Sequence, residues 1–259
     1  MAMNRNFYEK PASDGPLDEA QDNGESASGA LLDRARPSRP VKATRVDDAY
    51  SRLKREILAD RFRPGFQAFE LEIADMLQMS RTPVREALIR LESDGLIELV
   101  PRRGVRVLPV SPGDMKDIYQ LLTLLEPEAA AEVAQRGVSA DEMASLEQCC
   151  TAMQAALEQD DLEGWAEADD QFHRELLAMS SNRRMVEYLN ILFDQAHRAR
   201  MITVRLRDRP VASTKDHRDI LDAIVAGDAD KARQVFREHR ERASRELLKL
   251  LETSRLSSL

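Results

Sequence analysis

Only two cysteines occur in the 259 residues, Cys149 and Cys150, and they are adjacent. Sequence neighbours rarely bridge, and one pair builds no disulfide framework. They read as small apolar fillers on a helix. No apolar run approaches the ~20 residues that span a bilayer. The first 30 residues are polar and acidic, without the basic start and apolar middle of a secretory signal. These absences predict a cytoplasmic protein with no membrane segment. Basic charge is not in excess either, since the net charge is −8. That weighs against a chain that grips nucleic acid over its whole surface. Histidine is scarce too, at four residues: His173, His197, His217 and His239.

What charge there is lies unevenly. Residues 41–110 hold 13 basic and 11 acidic side chains, while residues 111–259 hold 20 and 28. A weakly basic segment ahead of an acidic one suits a protein that turns one face to phosphates. The length allows two domains. Residues 1–42 have no sustained periodicity and are rich in Asp, Glu, Ser, Gly and Pro, which predicts a disordered arm. Its Arg34, Arg36 and Arg39 can reach phosphates. Residues 43–109 form a first domain and residues 110–259 a second, with Pro109 to Pro112 as linker.

In the first domain, Tyr50, Leu53, Ile57 and Leu58 fall at helical spacing, and the helix stops before Pro64-Gly65. A short helix follows with Leu71, Ile73, Ala74 and Leu77 as its apolar residues. After a polar break, a third helix opens at Ser80-Arg-Thr-Pro-Val-Arg85, with Ser80 as N-cap and Gly95 at its end. Two β-rich runs, 96–100 and 104–108, flank Pro101-Arg102-Arg103 and predict a hairpin with a basic tip. Three helices and a basic hairpin make a winged helix-turn-helix. In such a unit the N-terminal residues of the last helix meet base edges in the major groove. Arg81 and Arg85 share one face of that helix, and each can donate two hydrogen bonds to a guanine. Ser80 and Thr82 can hold a phosphate or base edge. Arg90 is placed for a phosphate, Arg102 and Arg103 for the minor groove or backbone. Gly104 lets the wing approach the duplex.

This segment resembles the GntR family of bacterial repressors. The resemblance rests on Pro64-Gly65, Glu70-x-Glu72-Ile73-Ala74, Ser80-Arg-Thr-Pro-Val-Arg-Glu-Ala-Leu88, Gly95-Leu96 and Arg103-Gly104-x-x-Val107. It implies that Arg81, Thr82, Arg85 and the wing contact the operator. Phe66 and Phe69 are bulkier than the family pattern carries.

The second domain reads as six helices throughout, and an antiparallel bundle is the economical arrangement. The fold class is thus mainly α: a winged helix-turn-helix followed by a six-helix antiparallel bundle. Asp169 and His173 are four residues apart and share a helix face. His217 and His239 lie on the last two helices and can face each other at one level. One carboxylate with three imidazoles suits Zn²⁺ or Ni²⁺ and leaves positions open for an anion. The same spacing also fits a hydrogen-bonded surface pair.

A second resemblance bears on that choice. Leu125-Glu126-Pro127, Asp169-x-x-Phe172-His173, Ser181-Asn182, His217-x-x-Ile220-x-x-Ala223-Ile224, Gly227-Asp228 and His239 are similar to the FCD-type ligand-binding domain of the FadR subfamily, in its shorter VanR-like branch. It implies Asp169, His173, His217 and His239 as ligands of a divalent ion, with His197 outside the set. Such domains carry an arginine about four residues before the Leu125-Glu126 pair, where this chain has Leu122. Arg198 or Arg200 is then the candidate carboxylate clamp, with Asn182 a further effector contact. The expected function is a homodimeric, ligand-responsive repressor of a DNA operator, released by a small organic acid bound near the metal. The alternatives are a metal-dependent hydrolase, for which no paired general base is evident beyond Glu126, and a sensor of the metal itself.

Overall fold

The computed structural model describes residues 44–253; the predicted arm, with Arg34, Arg36 and Arg39, lies outside them. Helix α1 (Arg45–Leu58) starts on a capping box: the Thr44 hydroxyl accepts from Asp47 N–H, and the Asp47 carboxylate accepts from Thr44 N–H, both at 3.1 Å. Its apolar stripe, Ala49, Leu53 and Ile57, is buried. Then come strand β1 (Gln67–Ala68), helices α2 (Glu70–Leu77) and α3 (Arg81–Ser93), and the wing strands β2 (Ile97–Val100) and β3 (Gly104–Val107). Val84, Leu88 and Leu91 of α3 close the head's core with Leu96, Ile97 and Val107.

Three details depart from the sequence reading. The sheet has three strands, ordered β1-β3-β2, because Gln67 and Ala68 pair antiparallel with Arg106 and Val105. Two residues carry no period-2 signal, so only tertiary pairing makes β1. Leu71 is 51% exposed and takes no part in the head core. Ser80 has the extended backbone of an N-cap, yet its hydroxyl makes no cap hydrogen bond.

The body is six helices among the described residues: α4 (Pro112–Arg136), α5 (Ala140–Glu158), α6 (Leu162–Ala178), α7 (Arg183–Thr203), α8 (Val211–Val225) and α9 (Ala229–Thr253). A 3-10 turn, Val204–Leu206, ends α7. The breaks follow local chemistry. Ser139 and Glu142 form the expected capping box of α5. Gly227, at φ +70°, turns the chain before Asp228 accepts from Lys231 N–H at 2.9 Å and starts α9. Helices α4 and α9 make the most extensive packing of the body. Cys149 and Cys150 are buried free thiols, pushed up by burial to about 11 and about 12. Two apolar clusters fill the bundle, one around Trp165, Phe172 and Phe236, the other around Tyr119, Leu122 and Phe193. No described helix is long and apolar enough to cross a membrane.

Candidate DNA-reading face and candidate metal centre

The head's basic residues do not all stand alike. Arg81 and Thr82 are exposed in the first turn of α3, and Arg85 is exposed one turn on. Arg85 has a partner, Glu70, at 3.8 Å, with its own side chain still 73% exposed. A groove of about 790 Å³ opens between these arginines and the wing. Arg81, Arg85 and Arg102 line it together with apolar Phe69, Leu71, Leu99 and Pro101. Arg102 and Arg103 are exposed at the tip, Arg102 at φ +64°.

Two residues expected to meet DNA are engaged within the head. Arg90 donates to Asp47 at 2.8 Å, and its guanidinium lies 4.2 Å over the Tyr50 ring. The arginine holds the Asp47 carboxyl down at about 2. Gly104 has an internal reason as well. At φ +84°, a Cβ there would stand 2.3 Å from the Ala68 carbonyl oxygen. The close β1–β3 pairing therefore demands glycine whether or not DNA is near.

In the body, Asp169 and His173 on α6 meet His217 on α8 and His239 on α9. Each offers a ligand atom, and these atoms all lie within 4.8 Å of one another. All four residues are at most 2% exposed. Each imidazole also has its second nitrogen near a partner. His217 Nδ1 lies 2.7 Å from the Ser213 carbonyl, His173 Nδ1 2.9 Å from Glu126 Oε2, and His239 Nδ1 3.3 Å from Asp216 Oδ2. The Ser213 and Asp216 contacts fix the rings of His217 and His239 and leave Nε2 free as a donor to a metal, whereas His173 Nδ1 is not aligned for a hydrogen bond to Glu126. The Nε2 atoms of His173 and His217 are 3.2 Å apart, and His217 Nε2 is 3.4 Å from Asp169 Oδ1.

The electrostatics suit a cation. Burial lowers all three imidazoles, His239 to about 3 and His173 well below its usual range. The rings are therefore neutral and ligand-ready at neutral pH. Burial works to raise Asp169, but Arg200 and the neighbouring histidines outweigh it and hold the carboxyl at about 2. Asp169 Oδ2 has Arg200 Nη1 at 2.9 Å, yet the two are not aligned for a hydrogen bond, so this buried oxygen has no hydrogen-bond partner. One carboxylate oxygen and three imidazole nitrogens, buried and convergent, fit a divalent ion.

Two guanidiniums border the cluster. Arg200 is 5% exposed, and Asp169 and Tyr119 favour its charge against the opposing effect of burial. Arg240 is 1% exposed and pairs with Glu126, Nη2 to Oε2 at 2.7 Å. Burial raises Glu126 to about 7 despite that arginine.

Arg200 is thus brought to the cluster, whereas Arg198 and Asn182 are not. Arg198 donates to the Leu108 carbonyl at 2.6 Å, at the junction with the head. Asn182 is exposed and caps α7, accepting from Met185 N–H at 3.1 Å. His197 lies outside the four, 3.8 Å from Asp170. Sequence reasoning missed Arg240, Asp216 and the place of Glu126 beside His173. The signals were present: Arg240 follows His239, Asp216 precedes His217, and Glu126 sits in the quoted Leu125-Glu126-Pro127 motif.

Comparison with known proteins follows the same division. Residues 45–107 match the model of bacterial regulatory proteins of the gntR family, and residues 117–242 match the FCD domain. An uncharacterized HTH-type transcriptional regulator in the TAR-I ttuE-ttuC' intergenic region of Agrobacterium vitis is 44% identical over 141 residues, 54% of this chain and 82% of that protein. The HTH-type transcriptional repressor RspR of Escherichia coli (strain K12) is 26% identical over 208 residues, 80% of this chain and 89% of RspR. The solved structure of E. coli McbR/YncC superposes with a TM-score of 0.70 at 22% identity, covering 80% of this chain and 98% of that one. A putative transcriptional regulator GntR from Rhodococcus sp. RHA1 gives 0.68 at 22%, over 79% and 98%. At such identity the two structures establish the shared fold. The chain belongs to the GntR family, and it is a DNA-binding transcription regulator with an FCD domain.

Proposed function

We propose that this regulator is a homodimeric repressor whose body binds a divalent ion, zinc or nickel, on Asp169, His173, His217 and His239. A small organic acid bound beside that ion then releases the operator. The observation that carries the reading is the buried convergence of one carboxylate and three neutral imidazoles with Arg200 and Arg240 at its border. An ion there supplies positive charge and open coordination positions for an anion's oxygen. The Arg200 guanidinium, whose Nη1 has no hydrogen-bond partner, can donate to a carboxylate, which answers the arginine lacking at Leu122. The head is residues 43–109 and the body 110–259. Arg81, Thr82 and Arg85 read bases, while Ser80, Arg102 and Arg103 hold phosphates or the minor groove. Two heads meet half-sites about one helical turn apart, ~34 Å. That RspR is named a repressor supports the direction of control.

Helix α7 links the two functions in the chain's own residues. Arg200 of α7 touches Asp169, and on the preceding turns Asp194 pairs with Lys54 while Gln195 donates to the Asp94 carbonyl at 2.9 Å. A ligand that shifts α7 shifts the head. Its effect on operator affinity equals its differential affinity for the two arrangements, typically ~1–3 kcal/mol.

Elemental analysis of purified protein is expected to find about one ion per chain. His217→Ala or His239→Ala should lose it, and full occupancy in either variant refutes the ligand set. Gel-shift titrations over the full range of metal occupancy should show release only with an added organic acid. Release by the metal alone would make the ion itself the signal. Equal affinity for every genomic fragment and for random duplex would end the reading.

A further inference from the structure

Arg198 is left without a role by the metal centre, and its surroundings are unusual. It is 3% exposed, yet among the described residues no carboxylate lies within ion-pair distance of it. One guanidinium nitrogen reaches the Leu108 carbonyl; Nε is buried with no hydrogen-bond partner. Burial lowers the group to about 10, with Asp60 offsetting only part of the effect. A buried cation with neither carboxylate nor full hydrogen bonding is costly, and proteins keep few of them without a reason.

The space beside it supplies one. A cavity of about 160 Å³ is lined by Arg198 and Gln195 of α7, by Gly95 and Leu108 of the head, and by Ser111, Asp114 and Met115 at the start of α4. Liquid water takes about 30 Å³ per molecule, so a small oxyanion fits with room for water. The first turn of α4 walls the same cavity, with its Asp114 and Met115 N–H groups already taken by Ser111. Its acidic lining residue, Asp114, is exposed to solvent. Water screens that carboxylate, whereas the guanidinium is buried and its charge is not screened in the same way.

We infer that this junction cavity is a second anion site, separate from the metal centre, that takes a small oxyanion, a carboxylate or a phosphate, on Arg198. Its walls come from the head, the linker and α7, so an occupant ties all three together and fixes the head on the body. Bound anion is expected to stiffen the junction and change operator affinity through head placement, whatever the state of the metal centre.

The test uses the full chain. Thermal midpoints are measured against inorganic phosphate, acetate and chloride at constant ionic strength. A saturable rise with phosphate or acetate beyond that with chloride is expected, and whichever saturates assigns the ligand class. Arg198→Met should lose the rise, and His217→Ala, which disables the metal centre, should keep it. An equal rise in Arg198→Met, the same rise with chloride, or no rise at all overturns the site. Should Arg198→Met fail to fold, crystals of the unmodified chain soaked in selenate decide the matter. An anomalous peak within hydrogen-bond reach of Arg198 supports the site, and no peak there overturns it.

Discussion

The arginines of the DNA-reading face and those buried at the body's histidine cluster and junction are the same residue in opposite surroundings. Arg81, Arg102 and Arg103 are exposed, and Arg85 is 73% exposed beside its one distant carboxylate. Arg198, Arg200 and Arg240 are 5% exposed or less. A solvated guanidinium costs the fold almost nothing and stays available to a polyanion arriving from outside. A buried one must be neutralised within the fold, as Glu126 does for Arg240 and Asp169 for Arg200, or be held for a ligand that does so. The comparison teaches that the head's specificity can change without loss of stability, whereas the body's recognition residues are also its structural supports.

The largest effect should come from severing a buried pair. Arg240→Ala leaves Glu126 buried without its guanidinium, and unfolding in urea should show a loss of ~3–5 kcal/mol. Arg81→Ala in the same assay should stay within about 0.5 kcal/mol. A similar loss in both would dissolve the contrast.

Acid should sharpen it. Burial holds His239 at about 3, so between its unfolded value of 6.5 and that point the unfolded chain binds a proton the folded chain refuses. Stability therefore falls as pH drops below 6.5, by up to ~1.4 kcal/mol per pH unit for one such group. His173 and His217 shift the same way. Glu126, raised to about 7, works in the opposite sense between 4.5 and 7 and cancels about one proton's worth. In metal-free protein, stability measured from pH 6.5 to 4.5 should decline, and His239→Gln should flatten the slope. A flat profile in the parent would mean that the imidazoles already titrate in water.

On the DNA side, Arg81→Ala should weaken operator binding by ~1–3 kcal/mol, about 5- to 150-fold, and relax the base preference at one position. Fluorescence titration against matched and single-substituted duplexes measures both, and unaltered discrimination would remove Arg81 from the groove. The smallest change is expected for Arg90→Ala. With its guanidinium held by Asp47 and Tyr50, the loss should be ~0.5–1 kcal/mol of stability. Operator affinity and its salt dependence should stay intact, and a uniform weakening across all duplexes with a smaller salt slope would return Arg90 to a phosphate.

Much of this was legible without coordinates, for a physical reason in each case. Helical spacing of Leu53 and Ile57, the Ser139–Glu142 box and the Gly227-Asp228 break are local rules, and local rules are written in consecutive residues. The Asp169–His173 pair follows from the helical repeat. What spacing left open was whether that pair was a surface pair, since a helix face has no intrinsic inside. Strand β1 was invisible because two residues have no pattern.

The order of residues thus determined where helices start and stop, which face of α3 carries Arg81 and Arg85, and which side chains could bind a metal. Only the tertiary structure decided that Arg90 is occupied, that Gly104 serves the sheet, that Arg200 and Arg240 border the histidines, and that Arg198 sits at the junction instead. Capping and periodicity act within a few residues along the chain. Burial and charge pairing join residues as far apart as Glu126 and Arg240, 114 positions along the chain, and no window of sequence contains both.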